Sequence, residues 1–235
     1  MPIQLVSLDC AQTLLHVDWD PARLGMDSAR ALGIELDEPV AHSTYHRLLQ
    51  GRWREYERLN IGATDAETRQ FWGQLGADWL QALGQDPRRA REVMEEAESR
   101  LYTPGVVYSL YPDTLPALEV LTAEGLRLAV LSNWDTTLFR TLNEFGLTPY
   151  FDVIIASLVE GVEKPHPRLF EILTERSGVA PGEILHVGDD PVADVSGARG
   201  AGMYALLIDR AEGAEPGTGR ITSLTQVLER ANAYV

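Results

Sequence analysis

The chain has 235 residues, of which 45% are hydrophobic and 23% are charged, values close to those of an average globular protein. This composition excludes a disordered chain or a collagen-like repeat, and a single cysteine, Cys10, excludes an internal disulfide framework. The formal net charge of −15 predicts no nucleic-acid partner, because an acidic protein repels phosphate backbones.

The first predicted element is a short buried strand over residues 3–8, which leads directly into Asp9. Strand-like runs then disappear between about residues 15 and 102, while start and stop signals of helices repeat. These signals predict four helices, over residues 21–32, 37–60, 64–84 and 86–102. Thr64 and Glu67 have the spacing of a capping box at the start of the third. The sequence therefore predicts a helical insertion.

Strands and helices alternate in the remainder of the chain. Strands are predicted over residues 126–131, 153–156, 184–187 and 203–208, with a helix before or after each. Such alternation predicts an α/β fold with a parallel sheet covered by helices on both faces. The predicted domains are therefore a core of residues 1–14 and 104–235 and an inserted helical domain of residues 15–103.

Polar residues follow the predicted strands at their carboxyl ends, where parallel sheets bind ligands. In chain order they are Asp9, then Ser132 and Asn133, then Lys164 in a later loop, and finally Asp189, Asp190 and Asp194. Any one of these residues alone is more typical of a helix cap or a solvated charge. Their order along the chain predicts that carboxylates, a hydroxyl and an ammonium meet in one crevice.

These segments resemble the four motifs of the haloacid dehalogenase (HAD) superfamily of aspartate-nucleophile hydrolases. In the motif notation h is a hydrophobic residue and x is any residue. The first motif, hhhhDxDxT, is similar to LVSLDCAQT (5–13), and the second, hhhS, is similar to LAVLSN (128–133). The third, a lysine motif, is similar to EKPHP (163–167), and the fourth, GDxxxxD, is similar to GDDPVAD (188–194). Within the superfamily, the HVGD sequence resembles animal proteins of the HAD-like hydrolase domain-containing protein 3 and rhythmically expressed gene 2 group. The resemblance implies a Rossmann-like core with an inserted helical cap of the C1 type.

For catalysis, the resemblance implies a phosphatase that acts on a small phosphorylated substrate. Asp9 would attack phosphorus and form an aspartyl-phosphate. Ser132 and the backbone amide of Asn133 would hold the phosphoryl oxygens. Lys164 would offset the negative charge of both the nucleophile and the phosphate.

For the cofactor, the resemblance implies Mg²⁺, which prefers oxygen ligands and keeps several of its waters. Asp9, Asp189 and the backbone carbonyl of Ala11 would bind the ion directly. Asp190 or Asp194 would hold its waters or orient the lysine.

The first motif departs from the family pattern at Ala11, where phosphatases of the family carry a second aspartate. That aspartate protonates the leaving group and later activates water, a contribution of typically ~10²–10⁴-fold that a methyl group cannot supply. Three functions stay open: a weakened phosphatase, a non-catalytic member that binds a phosphate ligand or a partner, and a 2-haloacid dehalogenase. Dehalogenases also lack this aspartate, but they resemble SxN rather than GDD in the fourth motif and use no metal.

Five other residues are weighed as functional and interpreted as structural. Cys10 lacks the arginine six residues later that a cysteine phosphatase needs, so we expect a buried, inert thiol. His16 is expected in a hinge loop, and His186 is expected as a packed core residue. His42 and His46 lie four residues apart on one helix face, and the sequence shows no acidic third ligand at metal-binding spacing.

No apolar run reaches the ~18–20 residues that span a bilayer. Residues 1–15 also lack the positively charged start of a secretion signal. We therefore expect no membrane partner and a cytoplasmic location. The sequence leaves open whether the chain is a monomer or a homodimer.

Overall fold

The computed structural model describes residues 2–59, 64–103, 105–211 and 213–233. The chain forms two compact units. The α/β unit comprises Met1–Val17 and Leu110–Val235, and the helical unit comprises Asp18–Ser109. That the helical unit acts as a cap over a substrate stays a prediction.

The strands confirm the predicted α/β class. In chain order they are β1 (Leu5–Leu8), β2 (Leu15–Val17), β3 (Tyr108–Leu110), β4 (Arg127–Ser132), β5 (Val153–Ala156), β6 (Ile184–Gly188), β7 (Tyr204–Ile208) and β8 (Arg220–Ile221). Six of them form one sheet in the order β5-β4-β1-β6-β7-β8, and every neighbouring pair is parallel. The short strands β2, β3 and β8 escaped prediction because two or three residues carry too little periodicity to be recognised.

The helices of the helical unit are α1 (Pro21–Ala31), α2 (Glu38–Gly51), α3 (Trp53–Leu59), α4 (Asp65–Ala82) and α5 (Ala90–Leu101). The predicted single helix over 37–60 is therefore two helices that meet at Arg52, and its last residue lies outside the described residues. The capping box of Thr64 and Glu67 is confirmed at the start of α4. Trp79 is buried and donates its indole N–H to the Ala41 carbonyl at 2.8 Å, which ties α4 to α2.

The helices of the α/β unit are α6 (Thr114–Ala123), α7 (Thr137–Glu144), α8 (Ser157–Glu160), α9 (Pro167–Ser177), α10 (Gly197–Gly200) and α11 (Val227–Asn232). The helix predicted near residue 192 begins as a π-helix over Pro191–Ser196, which continues into α10. No described helix combines the length and apolarity that crossing a membrane requires.

The central strand β1 is buried along its whole length. Val6 and Leu8 pack into the hydrophobic cluster on one side of the sheet, and Leu5 packs into the cluster on the other. A strand covered on both faces is rich in apolar residues, as three of the four residues of β1 are, and the exception is the buried Ser7. The first charged side chain comes just past the strand, at Asp9.

The register of the sheet brings the ends of three strands together. Leu8 of β1 pairs with Val130 of β4 on one side and with Val187 of β6 on the other. The backbone N–H of Asp9 continues this pattern by donating to the Val187 carbonyl at 2.9 Å. The polar residues that follow β1, β4 and β6 consequently lie at one edge of the sheet.

Candidate active site

The Lys164 ammonium lies at the centre of a buried charged cluster at this edge. It donates to Asp9 Oδ1 at 2.7 Å, to Asp194 Oδ1 at 2.6 Å and to the Leu131 carbonyl at 2.8 Å. An ammonium has three N–H donors, so all of them are used. Only 2% of the side chain is exposed, and the lysine is therefore fixed between two carboxylates rather than solvated.

The side chain of Asn133 positions Lys164 by forming hydrogen bonds to the backbone of the lysine. Its side-chain Oδ1 accepts from the Lys164 N–H at 2.7 Å, and its Nδ2 donates to the Lys164 carbonyl at 2.9 Å. These two bonds join the end of β4 to the loop that carries the lysine. The side chain of Asn133 thus has a structural role in addition to the phosphate contact that the resemblance implies for its backbone amide.

Asp194 acts on the site through Lys164. Both of its carboxylate oxygens are occupied, because Oδ1 also accepts from His186 Nε2 at 3.1 Å and Oδ2 accepts from the Asp190 N–H at 3.0 Å. The other ring nitrogen of His186 is hydrogen-bonded to the Ser7 hydroxyl at 3.0 Å. His186 is fully buried, as expected, but it also belongs to the hydrogen-bond network of the site.

The role of His186 was missed in the sequence, although a signal for it exists. Side chains two residues apart on a strand point to the same face, so His186 and Gly188 share the face that Asp194 approaches. A Cβ atom at Gly188 would lie 2.2 Å from the Asp194 carboxyl carbon. Glycine is therefore required in this motif because the carboxylate passes directly over the backbone.

Asp189 and Asp190 have different environments. The carboxylate of Asp190 accepts from the backbone N–H groups of Val192 and Ala193, at 2.7 and 2.8 Å, and so caps the π-helix. Of the two aspartates offered by the sequence as partners of Lys164, Asp194 is the one in contact with it. Asp189 is half-buried and lies beside Asp9 and Asp194.

Burial and charge shift the pKa values of the three clustered carboxyl groups. Burial raises the pKa of Asp9, and the Lys164 charge opposes only part of this effect. Burial also raises the pKa of Asp189, to about 6, with the charges of Asp9 and Asp194 adding to it. Burial acts on Asp194 too, but the His186 hydrogen bond and the Lys164 charge outweigh it and hold its pKa below the usual range.

This arrangement fits a divalent cation. One oxygen from each of Asp9, Asp189 and Asp194 lies within 4.8 Å of the other two. One ammonium cannot neutralise three carboxylates, and like charges this close must protonate or take up a cation. Because every side-chain donor in the cluster is an oxygen atom, the chemistry matches Mg²⁺.

Ser132 supplies a buried hydroxyl close enough to Asp9 to oppose the rise in the pKa of that carboxyl group. Its hydroxyl is buried at the end of β4 and has no hydrogen-bond partner of normal geometry among the described residues. A buried hydroxyl without a partner is destabilising, typically by about 1–3 kcal/mol. An unpaired hydroxyl beside a carboxylate cluster is typical of a site that binds an external ligand.

The turn after Asp9 lacks an acid or base at residue 11, where the half-buried Ala11 presents a methyl group. The next residue, Gln12, has a φ of 54° in the left-handed region. Its side-chain Oε1 accepts from the Tyr111 hydroxyl at 2.9 Å and from His16 Nδ1 at 3.2 Å. The exposed His16 lies in strand β2 rather than in the hinge loop expected from the sequence, and its contact with Gln12 holds its ring beside this turn.

Two further predictions have different outcomes. Cys10 is buried, and burial raises the pKa of its thiol well above the usual value, as expected of an inert residue. The expectation that no acidic group accompanies His42 and His46 is wrong. Asp20, which is distant in sequence, lies beside both histidines in the helical unit.

Comparison with known proteins decides the family. The family model of the haloacid dehalogenase-like hydrolases matches residues 3–202. The chain belongs to the haloacid dehalogenase-like hydrolase family. The match includes all four motif segments, and so the resemblance inferred from the sequence is confirmed.

Individual relatives agree with this family. A phosphoserine phosphatase from Thermus thermophilus is 35% identical over 173 residues, which cover 73% of this chain and 68% of that protein. Haloacid dehalogenase-like hydrolase domain-containing protein 3 from Xenopus laevis is 26% identical over 208 residues, 88% of this chain and 85% of that one. The crystal structure of a HAD phosphatase from Thermococcus onnurineus has a TM-score of 0.64 and 26% identity, covering 97% of both chains. The predicted similarity to the protein 3 group is confirmed.

Proposed function

We propose that this HAD-like hydrolase is a Mg²⁺-dependent phosphatase of small phosphorylated compounds and works through an aspartyl-phosphate on Asp9. The observation that carries the proposal is the buried Lys164 ammonium shared between Asp9 and Asp194, with Asp189 beside them. Relatives named as phosphatases support the same reaction class.

The residues that would hold Mg²⁺ are Asp9, Asp189 and, through its backbone carbonyl, Ala11. When bound, the ion supplies positive charge that offsets the charge of the phosphoryl group. Replacing the second aspartate by alanine removes a side chain and leaves this carbonyl in place. Ion binding therefore does not require the residue that the motif lacks.

The chemical step uses the carboxylate that Lys164 holds in place. Asp9 Oδ1 accepts from the ammonium, so we assign the attack on phosphorus to Oδ2. A bond forms between Oδ2 and phosphorus while the bond from phosphorus to the leaving oxygen breaks. Water then attacks the same phosphorus, which releases inorganic phosphate and restores the carboxylate. Ser132 donates its free hydroxyl to a phosphoryl oxygen, and Lys164 offsets the added negative charge.

Ala11 limits the substrates that react quickly. An alkoxide leaving group needs a proton as the bond breaks, whereas an acyl or aryl phosphate releases a stable anion. We therefore expect acetyl phosphate and p-nitrophenyl phosphate to be hydrolysed faster than alkyl phosphates.

The test compares hydrolysis of both compounds by the parent protein and by Asp9→Asn, in Mg²⁺ and in EDTA. The parent should require Mg²⁺, and Asp9→Asn should lose at least about a thousandfold in kcat because the nucleophile is gone. Mass spectrometry after an acid quench should find the phosphoryl group on the peptide that contains Asp9. Asp37→Asn is the matched control, since it makes the same change at a helix cap where asparagine serves equally well. Equal turnover by Asp9→Asn and the parent would rule out this nucleophile.

A second candidate function, a phosphate-binding protein without turnover, is favoured by Ala11 alone. Tight binding of inorganic phosphate in Mg²⁺, with no hydrolysis and no labelled Asp9, would establish it. Release of chloride from 2-haloacids in EDTA would instead identify a dehalogenase. The three outcomes separate the functions that the sequence leaves open.

A further inference from the structure

The helical unit contains a second cluster of metal-ligating side chains, which has no part in the chemistry proposed above. It consists of Asp20, His42 and His46, and we call it the His–Asp cluster. One candidate ligand atom from each residue lies within 4.8 Å of the other two. Asp20 precedes α1, and both histidines lie on α2.

The two histidines are one helical turn apart, so their rings project from the same face of α2. Their Nε2 atoms are 3.2 Å apart, and Nε2 of His42 lies 3.4 Å from Asp20 Oδ2. The remaining separation, from His46 Nε2 to Asp20 Oδ1, is 4.0 Å. Candidate ligand atoms from α2 and from the residue preceding α1 therefore lie within a few ångströms of one another.

These separations match the ligand spacing at a tetrahedral ion. Bonds of about 2.0–2.1 Å from Zn²⁺ to nitrogen or oxygen, at tetrahedral angles, place neighbouring ligand atoms about 3.3–3.4 Å apart. Two of the three separations in the cluster have this length. The third separation is longer and is measured to Oδ1, the other carboxylate oxygen, so a side-chain adjustment at His46 or Asp20 has to bring one oxygen within ligand distance of both imidazoles.

The carboxylate is already oriented by the protein. Asp20 Oδ1 accepts from the backbone N–H of Arg23 at 3.0 Å, which leaves Oδ2 on the side of His42. Hydrogen bonds of this kind orient metal ligands and raise site affinity. The side chains are also accessible, since 45% of His42, 41% of His46 and 25% of Asp20 is exposed. An ion can therefore enter from solvent without unfolding the unit.

The ligand set selects the class of ion. Imidazole nitrogen with one carboxylate suits Zn²⁺ and the neighbouring divalent transition metals, whereas Mg²⁺ prefers oxygen ligands alone. We propose that the His–Asp cluster is a Zn²⁺ site, which cross-links the start of α1 to α2 within the helical unit. Three protein ligands leave the fourth position of a tetrahedral ion for water or a small ligand.

The test titrates EDTA-treated, dialysed full-length protein with Zn²⁺ by calorimetry in excess Mg²⁺, which competes at the carboxylate cluster of the α/β unit. The parent should bind one equivalent at the His–Asp cluster, and Zn²⁺ should raise its Tm. His42→Gln and His46→Gln should each weaken binding at least tenfold and remove the rise in Tm. Their far-UV circular dichroism without metal should match that of the parent, because both side chains are substantially exposed.

Two controls separate this site from others. His166→Gln changes an exposed histidine of the α/β unit and should leave Zn²⁺ affinity unchanged. Asp189→Asn alters the carboxylate cluster of the α/β unit and should still bind one equivalent of Zn²⁺. Co²⁺ should give visible absorption bands of a tetrahedral ion in the parent, and His42→Gln should lose them. The proposal would be overturned if both histidine variants kept the Zn²⁺ affinity of the parent, or if Asp189→Asn lost it. It would also be overturned if the parent bound no Zn²⁺.

Discussion

The two sides of the Asp9 carboxylate differ in how completely their functional groups are assembled. Toward β4 and β6, the ammonium of Lys164 has all its hydrogen bonds, and Asp194, Asn133 and His186 hold it in place. Toward the following turn, Ala11 presents a methyl group where phosphatases of the family place an acid. The comparison teaches that charge stabilisation and proton transfer are built from separate residues, so one can be absent while the other stays intact.

The two sides also differ energetically. On the side of Lys164, which we call the complete side, the charged groups are buried and depend on one another, whereas on the side of Ala11, the incomplete side, no buried charge needs a partner. Removing one partner of a buried ion pair leaves an uncompensated charge, and such losses are strongly destabilising. Residue 11 is half-buried and makes no ionic contact, so alanine can occupy it without disturbing the network. The predictions below test this contrast, beginning with the complete side.

Lys164→Met should have the largest effect, because it removes the ammonium but keeps the volume of the side chain. We expect kcat/KM to fall by about 10²–10³-fold, as for the loss of one preorganised charge-stabilising donor. The free energy of unfolding at neutral pH should fall by about 3 kcal/mol, since Asp9 and Asp194 lose their shared partner. Steady-state kinetics and urea denaturation measure the two effects.

Asn133→Ala is the matched control for the lysine, because it removes the clamp on the Lys164 backbone and leaves the ammonium itself. Its loss of kcat/KM should be clearly smaller than that of Lys164→Met. If Lys164→Met kept its rate within tenfold of the parent, the network would be structural only.

Ala11→Asp should repair the incomplete side. We expect kcat for alkyl phosphates to rise at least about tenfold, because general acid catalysis then becomes available. The gain in kcat should be smaller for p-nitrophenyl phosphate, whose leaving group needs little protonation. The plot of kcat against pH should also show the titration of the new carboxyl group. The asparagine of Ala11→Asn has nearly the shape of aspartate but no carboxylic acid proton to donate. An equal gain in kcat for that variant would therefore contradict the explanation.

Asp189→Asn should have the smallest effect on stability and the clearest dependence on pH. Folding raises the pKa of Asp189 to about 6, so the native state holds its proton more tightly than the unfolded chain. The parent therefore loses stability as the pH rises from about 4 through 6, because the crowded carboxylate becomes charged. In EDTA at pH 7.5 the asparagine should stabilise the protein by about 1 kcal/mol, a value reduced for the partial exposure of this residue.

Urea denaturation at pH 5 and pH 7.5 measures this difference. At pH 5 the gain should largely disappear, because the native carboxyl group is then mostly protonated. Mg²⁺ should stabilise the parent at pH 7.5 and stabilise the variant less, since a neutral amide oxygen replaces a charged carboxylate ligand. Asp37→Asn should show neither effect. A variant that is less stable than the parent at pH 7.5 would show that the carboxylates do not repel one another.

The sequence predicted the sheet well because its strands are buried. The runs around Val130, Val187 and Leu206 are apolar at nearly every position, a pattern that helices on both faces of a parallel sheet require. The candidate site was predictable for a related reason, since the polar residues that follow these strands must meet at one edge of the sheet. The break between α2 and α3 was missed because helical periodicity continues across Arg52.

By itself, the sequence determined the parallel α/β class, the order of the strand-end residues and the absence of an acid at Ala11, since each depends on residue type and local spacing. Only the tertiary structure decided which aspartate contacts Lys164, that His186 supports Asp194, and that Asp20 joins His42 and His46. These contacts join residues that are distant in sequence, 30 positions apart for Lys164 and Asp194 and 155 positions apart for Lys164 and Asp9. Packing between elements sets such distances, and apart from the spacing of His186 and Gly188 along β6 no local pattern in the chain records them.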